Sequence, residues 1–375
     1  MTYVIDPATT IRPPDPFVMS VEKQSFTTNG NTDIITNLTL GQDYSQCVPF
    51  LEMKASTYTS TASCIMKVTP AIEMINNAGT AATKLLFYSD TIVDNAVLEI
   101  TIVEFGPDIN VQSGAFDAGL TVDYRFNFPV PVNRASTFAI IHTQYSSQND
   151  YTARWDNFCE VLSDTQLRVY SPTPQSTSNR GYWYAVEDTT DGGHFQVTHA
   201  YSGYWAQGVA APYDVSIPAV DLTKTMLIST TGCSGWYNYG DTGTFYTYFL
   251  NNTTIRTFRS NASRGGIWPR HQIVQFANNT TVQNIAVQED NSTAGTGKNI
   301  TISSVDTSKS MVLSVPYRIG RAALTYGNYY QPYERGSLRK LTSPTNINVS
   351  RKTAQINTAF YERYSLQVIT WDHGT

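Results

Sequence analysis

One succession of strand-like segments recurs four times along this chain after residue 16, and this recurrence limits the fold more than any other feature. The second, third and fourth copies open on Val111-Gln112, Gln196-Val197 and Val282-Gln283, so the matching valines lie 86 and then 85 residues apart. The last two copies share the turn-like pairs Val220-Asp221 and Val305-Asp306. A regular spacing of this length is typical of a repeated supersecondary unit.

The segments within each copy favour strands over helices. Short apolar runs at 48–52, 137–141, 225–229 and 310–314 are predicted to be central strands buried on both faces. Aromatic and β-branched segments at 99–105, 182–187, 271–276 and 366–371 close the copies. Only 15% of residues are charged and 24 are Tyr, so Thr, Ser and Asn must supply much of the polar surface, which suits strands and turns.

We therefore predict an all-β chain of four tandem antiparallel β-sandwich repeats of about 85 to 95 residues, preceded by an extended Pro-rich arm. Residues 1–16 form the arm, because four prolines fix its backbone and remove hydrogen-bond donors. The repeats are assigned to 17–108, 109–191, 192–278 and 279–375. Each repeat is expected to bury its own core.

Composition narrows the class of partner. A net charge of −5 does not indicate a nucleic-acid or anionic-membrane binder, and no apolar stretch approaches a membrane helix. The start of the chain lacks the basic and apolar regions of a signal peptide, so we expect a soluble protein made in the cytoplasm. Cys47, Cys64, Cys159 and Cys233 have no zinc-like spacing and are expected to be mostly buried thiols, although oxidation of Cys47 and Cys64 stays open.

Taken together, these motifs resemble a family. The Val-Gln opening, the Val-Asp turn before an apolar strand, the hairpin segments at 165–169, 253–257 and 345–349, and the closing Val-Gln-Phe at 274–276 resemble repeats of tailed-bacteriophage virion proteins. These proteins are of the decoration, fibre and tail type, broadly similar to H-type lectin domains. The resemblance covers residues 17 to 373, and the first copy departs most, since it lacks the Val-Gln opening and the hairpin motif.

The resemblance implies a non-enzymatic structural protein of a phage particle, assembled in the host cytoplasm, with no catalytic residues and no cofactor. It would decorate or connect capsid or tail subunits through loop and arm contacts, with other virion proteins as partners. Particle proteins sit on symmetry axes, so a homo-oligomer such as a trimer is expected. The alternative is a tail-fibre module that binds a host receptor or cell-surface glycan.

The residues themselves offer little for catalysis or metal binding. His194 and His199 are expected to be ordinary surface histidines. Glu187, Asp188 and Asp191 could bind Ca²⁺, but an inter-repeat linker is the preferred interpretation. No nucleophile elbow, P-loop or dinucleotide motif is present, which favours a non-enzyme, although a carboxylate pair formed between subunits stays open.

The candidate interface residues lie in Gly-flanked aromatic loops and in the arm. Tyr and Trp side chains are enriched at protein interfaces and on sugar-binding surfaces, whereas the same rings also fill cores. Alternation favours the core for Trp183, while the 236–239 and 326–330 segments are predicted to be loop tips. The candidates are Trp236, Tyr237, Tyr239, Tyr326, Tyr329, Tyr330, Pro13 and Pro14.

Overall fold

The computed structural model describes most of the chain outside its first fifteen residues. The described residues are 16–29, 35–37, 44–54, 68–77, 80–89, 94–119, 123–145, 158–170, 179–190, 192–201, 203–204, 212–234, 245–259, 266–290, 298–315, 323–324, 337–351 and 362–373. In these residues the only helical turns are short 3-10 turns at Tyr44–Gln46 and Arg134–Ser136, and the rest of the regular structure is β-strand. The all-β prediction is therefore confirmed.

The strands fall into four sets in chain order. The first set contains β1 (Val18–Asn29), β2 (Ile35–Asn37), β3 (Cys47–Lys54), β4 (Val68–Asn77), β5 (Thr80–Ser89) and β6 (Asp94–Phe105). The second contains β7 (Ile109–Gly119), β8 (Asp123–Asn127), β9 (Thr137–Tyr145), β10 (Phe158–Ser163), β11 (Gln166–Tyr170) and β12 (Asn179–Asp188). The third contains β13 (Phe195–Tyr201), β14 (Tyr213–Ser216), β15 (Thr225–Ser234), β16 (Phe245–Asn251), β17 (Thr254–Arg259) and β18 (Gly266–Phe276). The fourth contains β19 (Thr281–Asp290), β20 (Lys298–Thr301), β21 (Ser310–Val315), β22 (Ala323–Leu324), β23 (Ser337–Ser343), β24 (Asn346–Arg351) and β25 (Glu362–Thr370).

Every set pairs its strands in the same order to form two antiparallel sheets. The sheets that we name inner have the orders β1-β6-β3, β7-β12-β9, β13-β18-β15 and β19-β25-β21, and β22 also pairs with β25. Those that we name outer have the orders β2-β5-β4, β10-β11-β8, β14-β17-β16 and β20-β24-β23. The predicted repeat boundaries lie between the sets, and the division into separate domains stays a prediction.

The apolar runs occupy a different place in their sheets from the one predicted. They form β3, β9, β15 and β21, which are edge strands, whereas the aromatic closing segments form the central strands β6, β12, β18 and β25. The prediction of burial on both faces holds for β15, whose residues 225–230 are all buried. An edge strand can be apolar on both faces here because one face meets the outer sheet and the other meets the neighbouring inner sheets.

A single hydrophobic cluster joins the four inner sheets. Its members include Val48 of β3, Ile140 of β9, Ile228 of β15 and Leu313 of β21, each at most 1% exposed. Beyond the core that each repeat is expected to bury on its own, the four sets therefore share this cluster. The four sets share one core because each inner sheet carries apolar side chains on both of its faces.

Smaller clusters lie between the inner and outer sheets of single sets. In the second set, Trp183 and Ile141 of the inner sheet pack with Leu167 and Val169 of the outer sheet. Trp183 is 4% exposed, so its predicted place in a core is confirmed. The inner and outer sheets of the fourth set share a corresponding cluster. The cluster around Ile255 of the third set also includes Val315 of the fourth.

The two recurring sequence motifs have structural roles. In the Val-Asp turn, Asp221 Oδ1 accepts hydrogen bonds from the Thr223 backbone and hydroxyl at 2.9 and 2.6 Å, and Asp306 does the same with Ser308. In the Val-Gln opening, the Gln112 carboxamide binds both backbone groups of Val130, at 3.0 and 2.8 Å. Gln283 binds both backbone groups of Ser303 in the same way. Both motifs therefore fix the segment that leads into the apolar edge strand.

Candidate functional site

All eight candidate residues from the sequence lie outside the described part of the chain. They are Trp236, Tyr237, Tyr239, Tyr326, Tyr329, Tyr330, Pro13 and Pro14. Their roles in loops and arm contacts therefore stay predictions. The aromatic segments that are described divide clearly between core and surface: Tyr184 is 2% exposed, whereas Tyr201 and Tyr204 are 67% and 55% exposed.

Tyr201 and Tyr204 belong to a group of rings and guanidinium groups drawn from the second and third sets. The Tyr204 ring lies 4.6 Å from the Trp268 ring, between centroids, and Trp268 lies 6.2 Å from Tyr170. Tyr170 in turn stacks on Phe158 at 4.9 Å. We name this group the aromatic–arginine surface; its members are Phe158, Arg168, Tyr170, Tyr201, Tyr204, Trp268 and Arg270.

The two arginines lie over rings of this surface. The Arg270 guanidinium carbon is 4.4 Å from the centroid of Phe158 and 5.1 Å from that of Tyr201. Arg168 lies 4.8 Å from the centroid of Tyr170. These distances are within the range of favourable cation–π contacts, so each guanidinium group helps to fix the rings that it covers.

A carboxylate network holds the arginines in place. Glu160 accepts from Arg168 Nη1 at 2.9 Å and from Arg270 Nε at 2.7 Å, and so joins the second set to the third. Arg168 also donates to both oxygens of Asp123, at 2.8 and 3.1 Å. Hydrogen bonds from Arg125, and then from Arg168, lower the pKa of the Asp123 carboxyl. The five charged side chains, with Arg125 included, leave a net charge of +1.

Part of this network follows from local sequence. Strands β10 and β11 pair so that Glu160 faces Arg168 across the hairpin, which alternation along two short strands could have indicated. Arg270 comes from β18 and is 110 residues from Glu160 in sequence, so only the tertiary structure brings it there. Neither the two arginines nor Trp268 were singled out from the sequence.

The histidines are structural. Burial lowers the pKa of His142 to about 4 and that of His271 to about 3. His194 is only 5% exposed and stacks on Phe17 at 5.4 Å, and His199 Nε2 lies 2.9 Å from the Arg134 carbonyl oxygen. The expectation of an ordinary surface histidine is therefore wrong for His194, which is buried, whereas His199 is only partly buried.

The acidic segment at the end of β12 also has a structural role. Asp188 Oδ2 accepts from the backbone N–H groups of His194 and Phe195 at 2.8 and 3.0 Å, and Oδ1 accepts from Thr190. These bonds fix the connection between the second and third sets. Asp191 lies outside the described residues. Within the described residues, no group of three or more His, Cys, Asp or Glu side chains is arranged to hold a metal ion.

Cys47 and Cys159 are buried, which agrees with the expected role as small apolar side chains. Burial raises the pKa of the Cys159 thiol, so it stays protonated at neutral pH. No helix in the described residues is long and apolar enough to cross a membrane. Comparison with protein-family models, with curated proteins and with solved structures found no match.

Proposed function

We propose that this chain is a non-enzymatic structural protein of a bacteriophage particle, built from four diverged copies of one β-sandwich repeat. It docks onto capsid or tail subunits and becomes part of the virion. The repeated motifs, with their resemblance to virion proteins, and the common pairing order of the four strand sets support this proposal. The observation that carries the docking role is the aromatic–arginine surface, with its exposed Tyr201 and Tyr204.

This surface has the chemistry of a protein interface. Trp, Tyr and Arg side chains contribute most of the binding energy in many protein complexes. Tyr201 and Tyr204 lose little conformational entropy on contact, because Arg270 and Trp268 already restrict them in the free protein. The net positive charge beneath the rings favours an acidic partner surface. With many copies on one particle, modest single contacts add up to stable attachment.

Incorporation into particles tests this role. We expect the double variant Tyr201→Ala/Tyr204→Ala to reduce the number of copies per purified particle by about tenfold or more, since two anchor residues are lost. Tyr213→Ala is the matched control, because Tyr213 is also exposed but lies on β14. Quantitative mass spectrometry of purified virions gives the copy number. Normal incorporation of the double variant would contradict the proposed docking surface.

The alternative function, binding of a cell-surface glycan by a fibre module, has one observation in its favour. Tyr204 presents a half-exposed ring beside Trp268, and sugar rings stack on such faces. Host polysaccharide titrated into the purified protein separates the two functions. Saturable binding that Tyr204→Ala abolishes would favour the glycan role, and its absence would leave docking as the better proposal.

A further inference from the structure

We use the word junction for the place where one set packs against the next. Equivalent positions of the four inner sheets can be identified from their strand pairing. In the inner sheets, Phe138, Met226, Met311 and Val48 are paired with Val186, Val274, Ile369 and Val103 respectively. The next residues on the edge strands are therefore equivalent; they are Ala139, Leu227, Val312 and Pro49. The residues two places earlier on the central strands are equivalent too; they are Tyr184, Gln272, Gln367 and Thr101.

Two of these equivalent pairs meet across a junction through a carboxamide. Gln272 of the third set accepts from Ala139 N–H and donates to the Ala139 carbonyl, both at 2.7 Å. Gln367 of the fourth set accepts from Leu227 N–H at 2.9 Å. Such edge residues direct their N–H and C=O groups away from their own sheet, so a planar group from the next set can bind them.

At the junction of the first and second sets, a histidine ring takes the place of the carboxamide and contacts the backbone of the preceding set. His142 Nε2 lies 3.1 Å from the carbonyl oxygen of Pro49, which has no N–H to offer. At three junctions, therefore, a planar polar side chain meets the equivalent backbone position of the preceding set. The fourth junction, between the last set and the first, brings Val312 opposite Thr101.

The Val312–Thr101 junction contains a cavity instead of a carboxamide. The cavity has a volume of about 150 Å³, and Thr101 and Val312 both line it. The Thr101 side chain is two heavy-atom positions shorter than Gln and has no planar amide group. A volume of this size equals about five water molecules, or one small organic group. We name it the seam cavity.

The polar wall of the seam cavity is mainly cationic. It includes the three cations Lys23, Arg339 and Lys340 and the single carboxylate Glu99. Lys340 donates to Glu99 at 2.6 Å, and one contact of Arg339, which is 2% exposed, is a hydrogen bond from Nη1 to the Ser314 hydroxyl at 2.8 Å. Lys23 binds the carbonyl oxygen of Thr307. The charges of the wall sum to +2.

We propose that the seam cavity binds a small carboxylate, which enters from solvent and takes the place that the Gln carboxamide fills at two other junctions. One carboxylate oxygen accepts from Val312 N–H, as Oε1 of Gln272 does from Ala139. The cationic wall selects a carboxylate over a neutral amide, because charge-assisted hydrogen bonds are roughly twice as strong as neutral ones. The group can come from a free acid or from a Glu side chain of a partner protein.

Calorimetric titration of the full chain with glutarate tests the site, and glutaramide is the uncharged probe of the same shape. We expect saturable binding of glutarate and affinity for glutaramide weaker by about tenfold or more. Titration with a Glu residue capped at both ends distinguishes the sources. Binding of the capped residue with similar affinity assigns the site to a partner side chain, and binding of glutarate alone assigns it to a free acid.

Thr101→Gln is the decisive variant, since it should fill the cavity as Gln272 fills its own junction. We expect it to fold with an unchanged or higher thermal midpoint and to lose glutarate binding. Thr101→Ser, which keeps the cavity open, should bind like the natural chain. Lys340→Gln, on the exposed rim, should weaken binding by about tenfold and serves if Thr101→Gln does not fold. Equal affinity for glutarate in the natural chain and Thr101→Gln, equal affinity for the two probes, or no binding of either would overturn the proposal.

Discussion

The backbone N–H of Val18 donates to the carbonyl oxygen of Asp372 at 3.1 Å, so the start of the first set meets the end of the last. Beside this bond the Phe17 ring lies 5.9 Å from the Trp371 ring, between centroids. The four sets are therefore not independent units that simply follow one another along the chain. Their shared core is closed by a contact between the two ends of the described sequence.

Phe17 is expected to carry an unusually large share of the stability. Its ring contacts the first, third and fourth sets, with centroid distances of 5.5 Å to Phe105, 5.8 Å to Phe195 and 5.8 Å to Phe276. We expect Phe17→Ala to lower the free energy of unfolding by about 3 to 5 kcal/mol, because it leaves a cavity between sets. Denaturant unfolding measures the change.

Met19→Ala, two residues further along the chain, provides the control for Phe17→Ala. Met19 is 51% exposed, so its truncation should change stability by less than about 0.5 kcal/mol. Equal effects of the two substitutions would show that the sets do not depend on a common core.

The carboxamide of Gln272 makes a second class of contact between sets. Its loss in Gln272→Ala leaves the buried N–H and C=O of Ala139 without their partner. We expect a loss of about 2 to 4 kcal/mol in the free energy of unfolding, since each unsatisfied buried group costs about 1 to 3 kcal/mol. Gln196→Ala, at an exposed position on β13, should have little effect. Indistinguishable midpoints for the two variants in urea would contradict the role of this contact.

The buried histidines make stability depend on pH. Burial lowers the pKa of His142 to about 4, whereas the unfolded chain has the ordinary value of 6.5. The unfolded state therefore binds more protons between these values, and stability decreases as the pH falls from about 6.5 towards 4. One such histidine contributes about 1.4 kcal/mol per pH unit in the middle of this window.

His142→Gln isolates this contribution. The amide can still donate to the Pro49 carbonyl, as the Gln272 carboxamide does to the Ala139 carbonyl, but it does not titrate. We expect similar stability at pH 7 and a shallower decline between pH 6.5 and 4, from urea midpoints measured at several pH values. An unchanged decline would mean that His142 is protonated in the folded protein.

The Pro-rich arm is expected to bind a neighbouring subunit and to add little to the fold of its own chain. Deletion of residues 1–15 keeps Pro16, which precedes the buried Phe17. We expect the thermal midpoint to shift by less than about 2 °C and particle incorporation to be lost, because the arm acts between subunits. A truncated chain that enters particles normally would rule out this role.

The sequence indicated the fold class and the recurring elements, because alternation and fixed spacing are local properties. The Val-Gln and Val-Asp motifs were visible in the same way. The second set uses Val132-Asn133 where the third and fourth have Val-Asp, and Asn133 Oδ1 accepts from Ala135 N–H at 3.0 Å. Asn and Asp make the same turn, so a search for the acid alone overlooked it.

The contacts between sets could not be predicted from the sequence, because they join residues that are far apart in the chain. The contact between Gln272 and Ala139 joins residues 133 positions apart, and the Glu160–Arg270 pair joins residues 110 positions apart. No local pattern distinguishes a strand that is central in its sheet from an edge strand covered by a neighbouring set. The shared core, the buried His194 and the aromatic–arginine surface all depend on that packing.

Immunogold labelling of purified phage particles with antibody to this chain tests the proposed function most directly. We expect gold over the head or along the tail, in many copies per particle. Label confined to the fibre tips would favour the glycan-binding alternative. Particles without any label, from a preparation in which the infected cells contain the protein, would contradict the assignment to the virion.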